Sequence, residues 1–149
     1  MSKATWQWRN VPIPEPLAIP LLAGMLVHVA APTNLLSGSW LWHAIGWPLL
    51  SAAVMLGGWA VRTVGEVDIS NSPKLLTSGP YAFFRHPMYL AWIVGYLGIG
   101  LIVNSVWPLV FLPAGLLATH FVVRREERDL EMRFGQEFTS YAARVRRYF

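Results

Sequence analysis

A chain of 149 residues with no internal repeat is the size of one domain. Hydrophobic residues make up 54% and charged residues 13%, about half the roughly 25% charged content of soluble domains, so a water-facing surface is hard to build from it. The formal charge of +4 suggests nucleic acid only until the charges are located, and the absence of cysteine excludes disulfides, thiolate zinc sites and a cysteine nucleophile.

The first fifteen residues hold Lys3, Arg9, Glu15 and two of the early prolines, without a short apolar core and small-residue cleavage site. The expectation is that the first span acts as its own insertion signal. From Pro16 to Val61 there is no Asp, Glu, Lys or Arg, and the polar break from Pro32 to Ser39 reads as a turn. It separates a span near 13–31 from a second near 40–61, each close to the roughly 20 residues needed to cross a bilayer. Pro73, Ser78, Gly79, Pro80 and Pro87 argue for loop and short turns over Gly65 to Pro87. The next charge-free stretch, His86 to Val123, would be roughly 57 Å long as one helix, nearly twice a hydrocarbon core. It must therefore fold back, and Asn104, Ser105 and Pro108 supply the stop and the N-cap between spans near 88–103 and 106–123. In the tail, 124–149, Leu130, Phe134, Phe138, Tyr141, Val145 and Tyr148 recur every three or four residues among Arg and Glu, predicting an amphipathic interfacial helix that Gly135 bends or interrupts.

The predicted fold is thus all-α, a membrane helical bundle of about four transmembrane spans in one domain. All twenty charged residues fall into 1–15, 62–85 and 124–149, and four spans place those three segments on one side. The two opposite turns carry no charge, which predicts both termini in the cytoplasm, with Trp40, Trp42 and Trp107 at the far interface. Membrane lipids are then the expected surroundings and nucleic acid is not an expected partner; oligomeric state is not readable.

Two clusters can carry chemistry. SGPYAFFRHPMY, Ser78 to Tyr89, sets Arg85 and His86 at the mouth of the third span, and residue types alone leave two readings: an arginine anchored to lipid phosphate beside an ordinary interfacial histidine, or a ligand mouth. Arg124 to Arg128 is either a positive-inside stop with solvated carboxylates or part of the same mouth. Helical phase separates its two acids. Glu127 shares a face with Leu116, His120, Val123 and Leu130, whereas Glu126 is turned about 100° away, so Glu127 is expected inside the bundle mouth and Glu126 nearer its rim. Gly95, Gly98 and Gly100 lack the preceding strand of a dinucleotide-binding loop, and close helix packing is the expected reason for them. His28 and His43 receive no role, and no metal-ligand set is read.

LLTSGPYAFFRHPMY, then a helical hairpin, then EERDLEMRFGQEFTSYAARVRRYF, resembles the isoprenylcysteine carboxyl methyltransferase and phospholipid methyltransferase superfamily over roughly residues 57 to 149. The preceding WAVRTVGE, with Arg62 and Gly65, looks like the approach to the first block. The resemblance implies S-adenosylmethionine as methyl donor, bound at the cytoplasmic ends of the last two spans, and a hydrophobic or lipid-like acceptor. Tyr81, Arg85, His86, Pro87 and Tyr89 match the first block; Glu126, Glu127, Phe134, Gly135 and Tyr141 match the second. Cofactor binding is carried over to Tyr81, Arg85, His86, Pro87, Tyr89, Glu126 and Glu127, and catalysis to His86 and Arg85. Methyl transfer is an in-line displacement that needs close approach and a dry site rather than a protein nucleophile. A base is required only for a protonated thiol or amine acceptor, and His86 titrates in the right range. Many relatives carry a proline after the basic motif, which this chain lacks before Phe149, and its first two spans match no motif. Two rivals stay open: a sterol-reductase-like oxidoreductase using a nicotinamide cofactor, and a noncatalytic four-helix scaffold or small transporter.

Overall fold

The structure, a computed structural model, describes residues 15–35, 39–65 and 74–148. The expectations for Lys3, Arg9, Glu66, Asp68 and most of the polar break after Leu35 lie outside the described residues. The described chain forms α1 (Glu15–Ala30), α2 (Ser39–Gly65), a single 3-10 turn (Gly79–Ala82), α3 (Pro87–Ile102), α4 (Val106–Phe134) and α5 (Gln136–Arg144), and no strand among these residues.

The hairpin between α3 and α4 forms where the sequence stops and restarts a helix. Asn104 takes φ +52°, a left-handed conformation that asparagine tolerates, and the Ser105 hydroxyl accepts the Trp107 N–H at 3.3 Å as the N-cap of α4. The turn after α1 meets this hairpin: the Val106 N–H donates to the Thr33 carbonyl at 3.1 Å, and the Trp107 indole to the Ala31 carbonyl at 2.7 Å. Both short turns therefore lie at one end of the bundle. The loop 74–86, the end of α4 and the tail gather at the other.

α2 packs along α3, and α1 along α4. Small residues let the backbones touch. A Cβ on Gly98 would lie 2.9 Å from the Leu50 nitrogen, and one on Gly24 would lie 2.8 Å from the Pro108 Cα. Gly98 is thus a packing glycine, as its apolar setting predicts. α3 is the central helix, burying Met88, Tyr89, Leu90, Ala91 and Tyr96. Outer faces are apolar: Ile19, Leu22, Val29, Met55, Leu117 and Phe121 are all exposed. An apolar belt of that extent fits a membrane protein and not a surface in water. α2, over Trp40–Val64, and α4 are long and apolar enough to cross a bilayer. α1 and α3, at 16 residues each, reach roughly 24 Å against a core of about 30 Å.

The predicted end of the fourth helix moves, while the predicted break at Gly135 is present. The fourth predicted span ends at 123, whereas α4 continues to Phe134, because Arg, Glu, Leu and Met over 124–134 are good helix formers with no breaker before Gly135. Gly135, at φ +52°, ends α4 and starts α5 in a new direction. The tail is therefore divided, and Phe138 and Tyr141 of α5 turn inward and are buried within the protein.

Candidate functional site

Pro87 is the first residue of α3, a position that needs no N–H donor, and it fixes the direction in which the preceding loop arrives. His86 before it lies outside helical geometry, φ −129° and ψ 62°, with its ring turned in and only 6% of the side chain exposed. The tail holds the loop from the other side. Phe84 and Arg146 form a parallel bridge, the Arg85 N–H donates to the Arg146 carbonyl at 2.9 Å, and Arg85 Nε to the Val145 carbonyl at 2.9 Å. The Tyr141 hydroxyl donates to the Tyr81 carbonyl at 2.6 Å.

Glu127 is the hub. Its carboxylate accepts from Arg85 Nη1 at 2.7 Å, from Arg147 Nε and Nη2 at 2.9 and 2.5 Å, and from His86 Nε2 at 3.3 Å. Burial alone would push this carboxyl up; the Arg147 hydrogen bonds, with Arg85, Arg147 and His86 close by, outweigh it and hold Glu127 below its usual range. An ionised carboxylate only accepts, so His86 Nε2 carries the hydrogen of that contact and Nδ1 of the neutral ring keeps the lone pair. Burial lowers His86 below its ordinary value against the pull of Glu127.

Glu126 faces elsewhere. It accepts the Tyr89 hydroxyl at 2.6 Å and sits 3.6 Å from His86 Nδ1. Burial pushes its carboxyl up and Asp129 adds to this, against the smaller opposing pull of the tyrosine hydrogen bond. Beside it opens a cleft of about 340 Å³ lined by Tyr81, His86, Pro87, Tyr89, Glu126 and Tyr141, with Lys74, Asp129, Arg133 and Phe134 around them. The helical phase orders burial as expected, with 9% of the Glu127 side chain exposed against 43% of Glu126. The cleft, however, belongs to Glu126: the Glu127 oxygens are already filled by two guanidinium groups and an imidazole. Arg85 likewise is turned to Glu127 and the tail carbonyls, behind the cleft wall.

The two blocks, 37 to 42 residues apart in sequence at their contacts, are thus brought together around one polar opening at the end of an apolar bundle. Arg147 is the member that sequence reading missed, and the basic run Arg144, Arg146, Arg147 opposite two acids was its only signal. Asp129, Leu130 and Arg133 also line the cleft, and their signal was plain: they follow Glu126 at the three-, four- and seven-residue steps of one helix face.

An all-helical apolar bundle thus carries, at one end, a polar cleft built from a His-Pro loop and a glutamate of α4. The profile of the family described as phospholipid methyltransferase matches residues 41–137, and the chain belongs to that family. It is 36% identical over 109 residues to the cobalt-zinc-cadmium resistance protein CzcN of Cupriavidus metallidurans, covering 68% of this chain and 50% of that protein. It is 31% identical to the nickel-cobalt-cadmium resistance protein NccN of Alcaligenes xylosoxydans xylosoxydans, covering 67% and 51%. Against the human protein-S-isoprenylcysteine O-methyltransferase it is 34% identical over 100 residues, covering 65% of this chain and 34% of the enzyme. The chain spans about half the length of the two resistance proteins and about a third of the human enzyme.

Proposed function

We propose that this chain transfers a methyl group from S-adenosylmethionine to a hydrophobic acceptor at the membrane interface. The observation that carries the reading is the meeting of Tyr81, His86, Pro87 and Tyr89 with Glu126, Phe134 and Tyr141 around a single cleft. Its volume of about 340 Å³ is in the range of small-molecule sites, roughly 300–1,000 Å³. The donor set fits the cofactor. Glu126 and Asp129 offer carboxylates to an amino group or ribose hydroxyls, Arg133 and Lys74 offer positive charge to a carboxylate, and the Tyr81, Tyr141 and Phe134 rings offer faces to a purine.

When bound, S-adenosylmethionine supplies an electrophilic methyl group on a sulfonium and is left as a neutral thioether. The chain's part is to position, to exclude water and, for some acceptors, to move one proton. Tyr89 holds Glu126 toward the cleft. Glu127 fixes the His86 ring through Nε2, which leaves the Nδ1 lone pair to take the proton of a thiol or amine acceptor as the new bond to carbon forms. A carboxylate acceptor brings no such proton, and His86 then only positions. Arg85 and Arg147 hold the loop and Glu127 rather than meeting the substrate.

The bundle is read here as a multi-pass membrane protein in which α1 and α3 cross together with α2 and α4, with both termini and the cleft on the cytoplasmic side. The charge map of the sequence and the meeting of both short turns at the opposite end support this. Isothermal titration of the protein in detergent or nanodiscs with S-adenosylmethionine, and in parallel with a reduced nicotinamide cofactor, tests the function. Saturable binding of the first alone is expected. Binding of the nicotinamide alone would move the chain to the reductase reading, and binding of neither would leave a scaffold or small transporter. The names of the two resistance proteins favour a setting in metal tolerance. Among the described residues no group of three His, Asp or Glu side chains is placed to hold a metal ion.

A further inference from the structure

The outward face of α4 runs on past its apolar stretch without a break. Val106 to Val123 is 18 residues with no Asp, Glu, Lys or Arg, roughly 27 Å of helix against a hydrocarbon core of about 30 Å. Arg124, Arg125 and Arg128 follow at once, at the depth of lipid phosphates, and all three are exposed. They continue a stripe of apolar side chains. Phe121 precedes Arg124, Arg125 and Arg128 by three, four and seven residues, and Leu117 precedes Phe121 by four, so all five share one side of the helix. Leu117 and Phe121 are each more than half exposed.

Four other arginines at this end are engaged within the protein. Arg85 and Arg147 close on Glu127, Arg144 on the Ser140 carbonyl, and Arg133 lies over the Phe134 ring at 5.5 Å. Among the described residues Arg124, Arg125 and Arg128 have no ion pair, hydrogen bond or ring contact, although Asp129 and Glu131 stand within helical reach of Arg125 and Arg128. Arg125, Arg128, Asp129, Glu131 and Met132 border an open depression of about 590 Å³. Its charge is ordered along the helix axis. The guanidinium groups come first from the membrane side, and Glu131 follows three residues, roughly 4.5 Å, beyond Arg128. Asp129 also borders the polar cleft on the other flank.

Resting on the reading of α4 as a membrane crossing, and independent of methyl transfer, we propose that this face of α4 binds one anionic phospholipid, with its phosphate between Arg125 and Arg128 and an acyl chain along Phe121 and Leu117. A guanidinium group meets phosphate oxygens through two parallel N–H donors, a fit that a lysine does not provide. Three guanidinium groups around one phosphodiester leave positive charge unmatched, which favours a headgroup that brings no cation of its own. A soluble acidic partner would supply the charge but nothing for the apolar stripe, and to reach arginines at this depth it would have to displace lipid headgroups. Each juxtamembrane arginine favours an anionic lipid by about fivefold, so Arg125 and Arg128 together set a preference of about twentyfold.

The test uses the full chain in phosphatidylcholine vesicles that hold equal small amounts of phosphatidylglycerol and phosphatidylethanolamine. After extraction in mild detergent, the lipids retained on the protein are counted by native mass spectrometry. Phosphatidylglycerol is expected to be retained about twentyfold over either zwitterionic lipid, corrected for its share of the vesicle. Arg125→Gln/Arg128→Gln should bring retention to within about twofold of parity, and Arg128→Gln alone should cut it about fivefold, which serves if the double variant does not fold. Arg144→Gln/Arg146→Gln, with the same loss of charge in the tail, should keep the preference. Equal retention of phosphatidylethanolamine, whose ammonium group would meet Asp129 and Glu131, an undiminished preference in Arg125→Gln/Arg128→Gln, or an equal loss in the tail variant would each overturn the proposal. So would displacement of the retained lipid by millimolar inorganic phosphate, which marks an anion site that needs no acyl chain. Release of the chain from the vesicles at alkaline pH without detergent removes the crossing and the site together, whereas a firmly inserted chain with no lipid preference removes the site alone.

Discussion

Glu126 and Glu127 are neighbours with opposite tasks, and the difference is one of saturation. Glu127 is filled by Arg85, Arg147 and His86 and lies behind the cleft wall, so it holds the loop and the tail to α4. Among the described residues Glu126 accepts from Tyr89, and it faces the cleft with its second oxygen near His86. Glu126→Gln is expected to weaken S-adenosylmethionine binding about three- to tenfold, since a hydrogen bond to a half-exposed carboxylate contributes about 1 kcal/mol, near the weak end of charged hydrogen bonds. Glu127→Gln is expected to act on stability instead. It leaves two guanidinium groups without their counter-charge, and removing one partner of a buried pair costs about 3 kcal/mol or more, several degrees in Tm for a chain of this size. Calorimetric titration and thermal unfolding of the two variants separate these effects, and the reverse pattern would reassign the cleft to Glu127.

His86 supplies a pH test at the same scale. Its folded pKa lies below 6.5, so between that lowered value and 6.5 the unfolded chain binds more protons than the folded one, and stability rises with pH across the window. The same shift keeps the ring neutral at pH 7. For a thiol or amine acceptor, turnover should therefore fall on an acid limb with its midpoint below 6.5. Glu127 is the group that pulls His86 upward, so Glu127→Gln should move the limb lower still. A limb above 6.5 in the unsubstituted protein would remove His86 as the base.

At the scale of elements, the tail from Val145 to Tyr148 is a strap across the His-Pro loop. Its hold on the loop rests on the Phe84–Arg146 bridge, the Arg85 contacts and the Arg147–Glu127 pair. Arg147→Ala should free the strap while leaving α1 to α4 assembled, and hydrogen exchange at the Arg85 amide should rise by tenfold or more as its bond to the Arg146 carbonyl opens. Unchanged protection at Arg85 would mean that the backbone bridge alone holds the strap.

The helices themselves were legible because apolar stretches, proline and the Asn104–Ser105 pair act locally. Burial of Glu127 was legible because phase on a regular helix is also local. The end of α4 was not, since the sequence marks where the apolar residues stop and the helix stops only at Gly135. Nor was the Arg147–Glu127 pair, which depends on the new direction that Gly135 gives to α5 and joins residues twenty apart. That Glu126 rather than Glu127 faces the cleft was not legible for a related reason: phase says which acid is buried, but whether a buried carboxylate is available depends on partners that come from elsewhere in the chain.

For the whole molecule, the question is whether α1 and α3 cross the bilayer with α2 and α4. Each is short for a crossing on its own, but neither stands on its own: α3 is packed along α2 at the Gly46–Gly98 contact, and α1 along α4 at the Gly24–Pro108 contact. Four crossings put Arg62, Lys74 and Arg85 on the same side as the basic tail, and put the turns at 31–35 and 103–105, which contain no Lys or Arg, on the other. Two crossings, by α2 and α4 alone, would leave the exposed apolar faces of α1, Ile19, Leu22, Leu26 and Val29, without lipid. Single cysteines at 36, 70, 104 and 140, in a chain that has none of its own, allow this to be measured directly with a membrane-impermeant maleimide on intact and opened cells. Positions 36 and 104 should label from the noncytoplasmic side, and 70 and 140 only after the membrane is opened. Labelling at 36 only in opened cells would remove the crossing by α1, and the same result at 104 would remove the hairpin of α3 and α4.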